Sequence, residues 1–245
     1  TGSGDATYTN NSVVAVAGVA TFTGLTVTYT ATADEETFAL QAASGALTAA
    51  TSSSITSDVV ATQLVFLTQP SPLAGTSGAT LDFTTDPVVQ ARDANGTVDA
   101  SFIGTVTLTE TGAGDATYAN NSVSAVAGVA TFTGLTVTYT ATADEETFAL
   151  QAASGALTTA NSSSITADVV ATQLVFTTQP SPLTGTSGLA LDFTTDPVVE
   201  ARDAAGNLDA SFTGTVTLTE TGSGDATYTN NSVVAVAGVA TFTGL

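Results

Sequence analysis

The chemistry open to this chain is carboxylate chemistry. It has 22 Asp and Glu residues against two arginines, Arg92 and Arg202, with no His, Cys or Lys and a formal net charge of −20. The acids are clustered. Asp34-Glu35-Glu36 and Asp144-Glu145-Glu146 are tight triplets, and Asp58 and Asp168 follow each of them at the same distance along the chain. Neighbouring carboxylates repel one another unless they splay into water or share a cation. The simpler reading of each triplet is a solvated loop. The alternative is a calcium site, at the triplets or beside Asp58 and Asp168, because calcium takes about six to eight oxygen ligands. Neither triplet is a full coordination set by itself.

A second stretch also places oxygens at alternate positions: Asp93, Asn95, Thr97 and Asp99, with Gly96 among them. Its counterpart runs from Asp203 to Asp209. There Ala205 replaces the amide of Asn95, while the glycine stays as Gly206. A turn needs the glycine and a metal site would miss the amide, so this stretch reads as a hairpin turn.

Composition excludes most other functions. Without His, Cys or Lys the chain lacks the usual bases, nucleophiles and soft metal ligands, and no pair of acids is placed for glycoside hydrolysis. No enzyme is expected. The charge repels nucleic acid and anionic lipid. The longest apolar run, residues 13–20, has eight residues, too few to cross a bilayer. The expected partners are therefore copies of the chain itself, with no nucleic acid and no membrane insertion. No cofactor is expected apart from calcium.

The elements that must position these acids are set by a repeat. Residues 1–110 align with residues 111–220 without a gap, and 95 of the 110 positions agree. Residues 221–245 begin a third copy and match residues 1–25 letter for letter. The chain is expected to be a window on a tandem array. A period of this length is too long for solenoid coils and fits one β-sandwich per repeat. The boundary falls where a Ser/Thr loop gives way to an extended segment, before "VVATQLVF". Residues 59–168 then form a complete domain, residues 1–58 the C-terminal part of a preceding one, and residues 169–245 the N-terminal part of the next.

Two-residue alternation and turn chemistry predict seven to nine short strands per repeat. Leu64, Phe66, Leu81, Phe83, Val89, Ala91, Val106, Leu108, Phe148 and Leu150 are predicted to face inward. Thr105, Thr107 and Thr109 are predicted to form an outer row. Residues 93–96 and the turn at Gly128 are predicted hairpins, Gly134 a bulge, and residues 156–166 a single closing strand. Tyr118 and Tyr139, the candidates for a binding face, are expected to pack at sandwich edges. Arg92 and Arg202 are expected to pair with neighbouring acids.

The line "ATQLVFTTQPSPLTG", followed by "VVEARDAAGN", "GTVTLTE", "GVATFTGLTV" and "TFALQAASGAL", resembles the bacterial immunoglobulin-like repeats of large secreted surface proteins and adhesins. The likeness covers the whole period and names no ligand. It implies tandem Ig-like β-sandwich domains in an extracellular stalk or fibre on a prokaryotic cell surface. Family members cross-linked through Lys–Asn or Lys–Asp isopeptide bonds are not matched, because this chain has no Lys. The functional expectation is a structural segment of a long surface array. Two alternatives stand beside it: a filament subunit that polymerises head to tail by strand complementation, and a ligand-binding adhesin module.

Overall fold

The structure is a computed structural model that describes residues 2–222 and 224–245. The described residues form an all-β protein of short strands joined by turns. Among the described residues no helix is long and apolar enough to cross a membrane.

The most complete packing lies between residues 63 and 168. Gln63–Thr68, Val88–Arg92 and Val129–Thr131 form one sheet with Val88–Arg92 in the middle. Asp115–Ala119, Thr136–Thr140 and Thr80–Asp82 form another, centred on Thr136–Thr140. A four-stranded sheet runs in the order Ser122–Ser124, Thr105–Glu110, Leu150–Ala153, Ala160–Asn161, and a three-stranded one in the order Glu146–Phe148, Ile165–Asp168, Ala74–Thr76. Only Ala149 separates Glu146–Phe148 from Leu150–Ala153, so these two sheets continue each other along one line of chain. The strand pairs are antiparallel, except that Ala74–Thr76 runs parallel to Ile165–Asp168.

The side-chain period of a strand produces the core. Val89 and Ala91 are buried while Gln90 and Arg92 are half-buried on the opposite face. Val106 and Leu108 are buried beside outer Thr105 and Thr109. Phe132, Leu135, Val137, Leu150 and Ile165 close the interior, and the whole cluster is drawn from residues 61–169. Complete burial of a Leu, Ile or Phe side chain contributes roughly 1.5–3 kcal/mol. The outer threonines pair across strands, as Thr80 Oγ1 and Thr138 Oγ1 do at 2.9 Å.

Four local expectations are corrected. Residues 156–166 are not one strand: Ala160–Asn161 joins one sheet and Ile165–Asp168 another. The Ser162 side chain bridges the break, accepting from the Leu150 N–H and donating to the Ser163 carbonyl. The strands flanking Gly128 are not hairpin partners, because Ser122–Ser124 pairs with Thr105–Glu110 and Val129–Thr131 with Val88–Arg92. The turn itself is tight, with Ala127 and Gly128 both at positive φ between bridged Val126 and Val129. Gly134, at φ +67°, makes a turn rather than a bulge, and this lets both Phe132 and Leu135 reach the core. Finally, the Asp93–Gly96 turn is followed by a single bridge, Arg92 to Val98, and not by a returning strand.

A smaller cluster of Val199, Val216, Ala235, Ala240 and Phe242 lies in residues 199–242. Around it, Gln173–Thr178, Val198–Arg202 and Val239–Thr241 repeat the first sheet described above. Residues 2–58 contain Asp5–Thr9 paired with Thr26–Thr30, Glu36–Phe38 with Ile55–Ser57, and Gln41–Ala42 with Ala50–Thr51.

Candidate functional site

The eight acids singled out in the sequence separate into two groups. Asp144, Glu145 and Asp168 come together with carboxylate oxygens within 4.8 Å of one another, and so do Asp34, Glu35 and Asp58. Glu36 and Glu146 are turned away into a different network.

Strand geometry explains the split. Glu146 begins the Glu146–Phe148 strand and points back over Tyr139. Its Oε1 accepts from the Ala113 and Gly114 N–H groups, each at 3.0 Å, and from the Tyr139 hydroxyl. Its Oε2 accepts from the Thr142 N–H and hydroxyl. Burial pushes this carboxyl up, but the hydrogen bonds from Tyr139 and Thr142 outweigh it and hold the pKa at about 2. Burial and the bond to Glu146 push the Tyr139 phenol up to about 12. The Tyr139 ring stacks on Phe148 at 4.1 Å. The chain can cross this ring only because residue 114 lacks a side chain: a Cβ there would stand 2.2 Å from the Thr140 carbonyl oxygen. Glu36, Tyr29, Gly4 and Phe38 repeat the arrangement one period earlier. These residues build a structural corner, and their lone pairs are already used.

The remaining acids stand where residues on either side of the 58/59 and 168/169 positions meet. Asp144 Oδ1 accepts from the Glu145 and Val169 N–H groups, and its Oδ2 accepts from the Ser211 N–H at 3.0 Å. Asp34 does the same with Glu35, Val59 and Ser101. The Val59 N–H holds the Asp34 carboxyl below the usual carboxylate range, against the opposing effect of burial. A second carboxylate completes each joint. Asp209, 5% exposed, accepts from the Ala171 N–H and the Ser211 hydroxyl, and Asp99 accepts from Ala61 and Ser101 in the same way. Asn207 donates across the second joint to the Ala141 carbonyl. An open crevice lined by Thr32, Asp34, Asn95 and Val98 marks the first.

Asp168 is the unsatisfied member. Its Oδ1 is buried and has no hydrogen-bond partner. Burial, then the negative charges of Asp144 and Glu145, push its carboxyl up. Asp86 and Asp196 also have a buried unpartnered Oδ1, but each uses its other oxygen to accept from a turn glycine, Gly134 and Gly244 respectively. Asp168 is the one of the three that belongs to a carboxylate cluster among the described residues. Such a set can hold a hard cation, with each carboxylate offering up to two oxygens.

Asp93 takes no part in either cluster. Its Oδ1 accepts from the Asn95 and Thr97 N–H groups and so caps the turn. Sequence reasoning missed the role of Asp99 and Asp209. The signal was present in "DASF", retained as residues 99–102 and 209–212 while the neighbouring positions 95, 97 and 98 changed between copies. Arg202 pairs with Glu200, whereas Arg92 bonds to the neutral Gln90. Tyr139 is buried, and Tyr118 is half-buried with its hydroxyl on Glu110.

No family model and no curated protein matches the chain. Solved structures do resemble it. A glycosyl hydrolase family 2 member from Bacteroides cellulosilyticus is 15% identical over 59% of this chain and 18% of its own, with a TM-score of 0.32. Domains 4–9 of surface layer protein SbsC are 16% identical over 90% of this chain and 30% of theirs, with a TM-score of 0.29. Domains 5–6 of the same S-layer protein are 20% identical over 76% of this chain and 86% of theirs, with a TM-score of 0.27. The chain spans less than a third of the length of the first two. Likeness at this level carries no functional argument.

Proposed function

We propose that the chain is a structural, non-enzymatic segment of an extracellular array of Ig-like sandwiches, with residues 59–168 as one complete unit flanked by parts of its neighbours. The observation that carries this reading is the doubled joint. Asp34 and Asp144 each accept from a backbone N–H just past the boundary and from a serine N–H about forty residues further on. Two joints with the same partners, one period apart, fix successive units in the same way, as a spacer or stalk requires. The −20 charge keeps such an array soluble and its surfaces mutually repulsive. Small-angle scattering tests it: a rod one sandwich wide supports the reading, and a compact globule refutes it.

A second function of the same joint is favoured by the buried, unpartnered Asp168 Oδ1. Asp144, Glu145 and Asp168 hold calcium and thereby stiffen the articulation, and Asp34, Glu35 and Asp58 do so at the preceding joint. Calorimetric titration of the chelator-treated chain with calcium reads it directly; absence of binding at millimolar calcium refutes it.

A further inference from the structure

Nine asparagines stand in the chain, and Asn95 is the one followed by glycine. The others precede Asn, Ser or Leu. Asparagine is a thermolabile residue, and the residue after it governs how readily it reacts. A main-chain nitrogen that attacks the side-chain amide must come close to it. A Cβ on the following residue crowds that approach, and glycine has none. At Gly96, with φ +90°, even an added Cβ would meet nothing within 4 Å, so the space beside the turn is open.

Other asparagine amides are tied to main-chain carbonyls. Asn120 donates to the Gly134 carbonyl and Asn121 to the Leu108 carbonyl, each at 2.9 Å. Asn207 donates to the Ala141 carbonyl across the second joint. Asn95 is exposed, and its amide donates to Asp93 Oδ2 at 3.3 Å. Asp93 Oδ1 accepts from the Asn95 N–H at 3.0 Å and the Thr97 N–H at 2.8 Å. The Gly96 N–H between them makes a longer bond, 3.2 Å to the Asp93 carbonyl. Nucleophile and target thus sit side by side in an open turn, and both are loosely held. The same turn lines the crevice at the first joint, together with Thr32 and Asp34. At the second joint Ala205 stands in place of Asn95.

We propose that Asn95 is a self-modification site, deamidated through attack by the Gly96 nitrogen, and that its conversion loosens the first joint while the second, lacking the asparagine, is unaffected. The site stands on the chemistry of the turn; its effect on the joint rests on the array reading proposed above. The Gly96 nitrogen gives its proton to hydroxide and forms a bond to Asn95 Cγ. The Cγ–Nδ2 bond breaks, Nδ2 takes a proton from water, and ammonia leaves. Water then opens the five-membered imide at one carbonyl or the other, giving aspartate or isoaspartate. The overall reaction consumes one water and releases one ammonia. Either product carries a new carboxylate beside Asp93 in the crevice that Asp34 also lines, and like charges repel there over about 8 Å at physiological salt. The isoaspartate also adds a methylene to the main chain. The Thr97 carbonyl, which accepts from the Asp93 N–H at 2.9 Å, then no longer meets its donor in register.

The full chain, aged in mildly alkaline buffer, is digested with a non-specific protease and read by peptide mass and by isoaspartyl methyltransferase labelling. Peptides that hold Asn95 are expected to convert at least about tenfold faster than those that hold Asn121 or Asn161, a barrier lower by about 1.4 kcal/mol. Asn95→Ala, which copies the residue at 205, is expected to lose the label from this peptide. Hydrogen exchange is then followed at Ser101, whose N–H donates to Asp34 Oδ2. It is expected to quicken severalfold in the aged chain and in fresh Asn95→Asp, with Ser211 unchanged. Conversion at Asn95 no faster than at Asn121 and Asn161, or label kept in Asn95→Ala, overturns the site. Conversion that leaves exchange at Ser101 unchanged overturns its effect on the joint. If Ser101 exchanges freely before ageing, the joint itself has failed, and the rate at Asn95 alone decides the site.

Discussion

Asp144 Oδ2 accepts the backbone N–H of Ser211 at 3.0 Å, sixty-seven residues away in sequence. Asp34 and Ser101 form the same bond one period earlier. Each bond spans the 58/59 or the 168/169 position, where the proposed units meet.

Replacing Asp144 with Ala removes the acceptor for three backbone N–H groups. Loss of such bonds costs roughly 1–3 kcal/mol. Residues 63–168 keep their core, so the expected result is faster hydrogen exchange at Val169 and Ser211 with little change at Leu108 or Leu150. Uniform loss of protection would contradict the role assigned to Asp144.

Glu146 makes acid stability predictable. Its folded pKa of about 2 lies below the ordinary 4.5 of a glutamate, so its contribution is complete above about pH 4.5 and lost as the pH falls towards 2. Thermal melts across that window should show a falling midpoint. Glu146→Gln should flatten that limb and lower the midpoint at pH 7, and the reverse order would count against the Tyr139–Glu146 corner.

Gly128 and Gly155 separate close approach from backbone conformation. Both have positive φ, but a Cβ at 128 would stand 2.2 Å from the Asp99 carbonyl oxygen, while one at 155 meets nothing within 4 Å. Gly155→Ala should cost about 1–2 kcal/mol from the left-handed backbone alone. Gly128→Ala should add a further 1–3 kcal/mol or so for the overlap. Urea denaturation of the two variants orders them.

Asp168 carries the opposite sign from Glu146. Its carboxyl is pushed up by burial and by Asp144 and Glu145, so ionising it destabilises the fold as the pH rises above the ordinary 3.8 of an aspartate. Asp168→Asn should raise the melting temperature of the chelated chain at pH 7 and abolish any calcium-induced rise. Calcium should raise the midpoint of the unaltered chain. An unchanged midpoint with and without chelator removes calcium from the account.

Much of the interior was legible because strand alternation is a local signal. Val89, Ala91, Val106, Leu108, Phe148 and Leu150 face inward as their two-residue spacing requires. Which strand pairs with which was less legible. Ser122–Ser124 and Val129–Thr131 flank a tight turn yet join different sheets, a choice made by packing across the sandwich and not by the turn. The acids show the same limit. Glu145 and Glu146 are adjacent in sequence, but the strand that starts at Glu146 sends one side chain to Tyr139 and leaves the other beside Asp168. The clustering of Asp144 with Asp168 depends on the fold that brings residue 168 back to residue 144, which no spacing along the chain reveals.

Limited digestion of the native chain with a non-specific protease, read by intact mass, tests the central claim most directly. If a repeat folds on a core of its own, a protected fragment close to residues 59–168 accumulates while residues 2–58 and 184–192 are cut early. A protected fragment that ends well inside residues 74–168, or protection spread evenly along the chain, would contradict it.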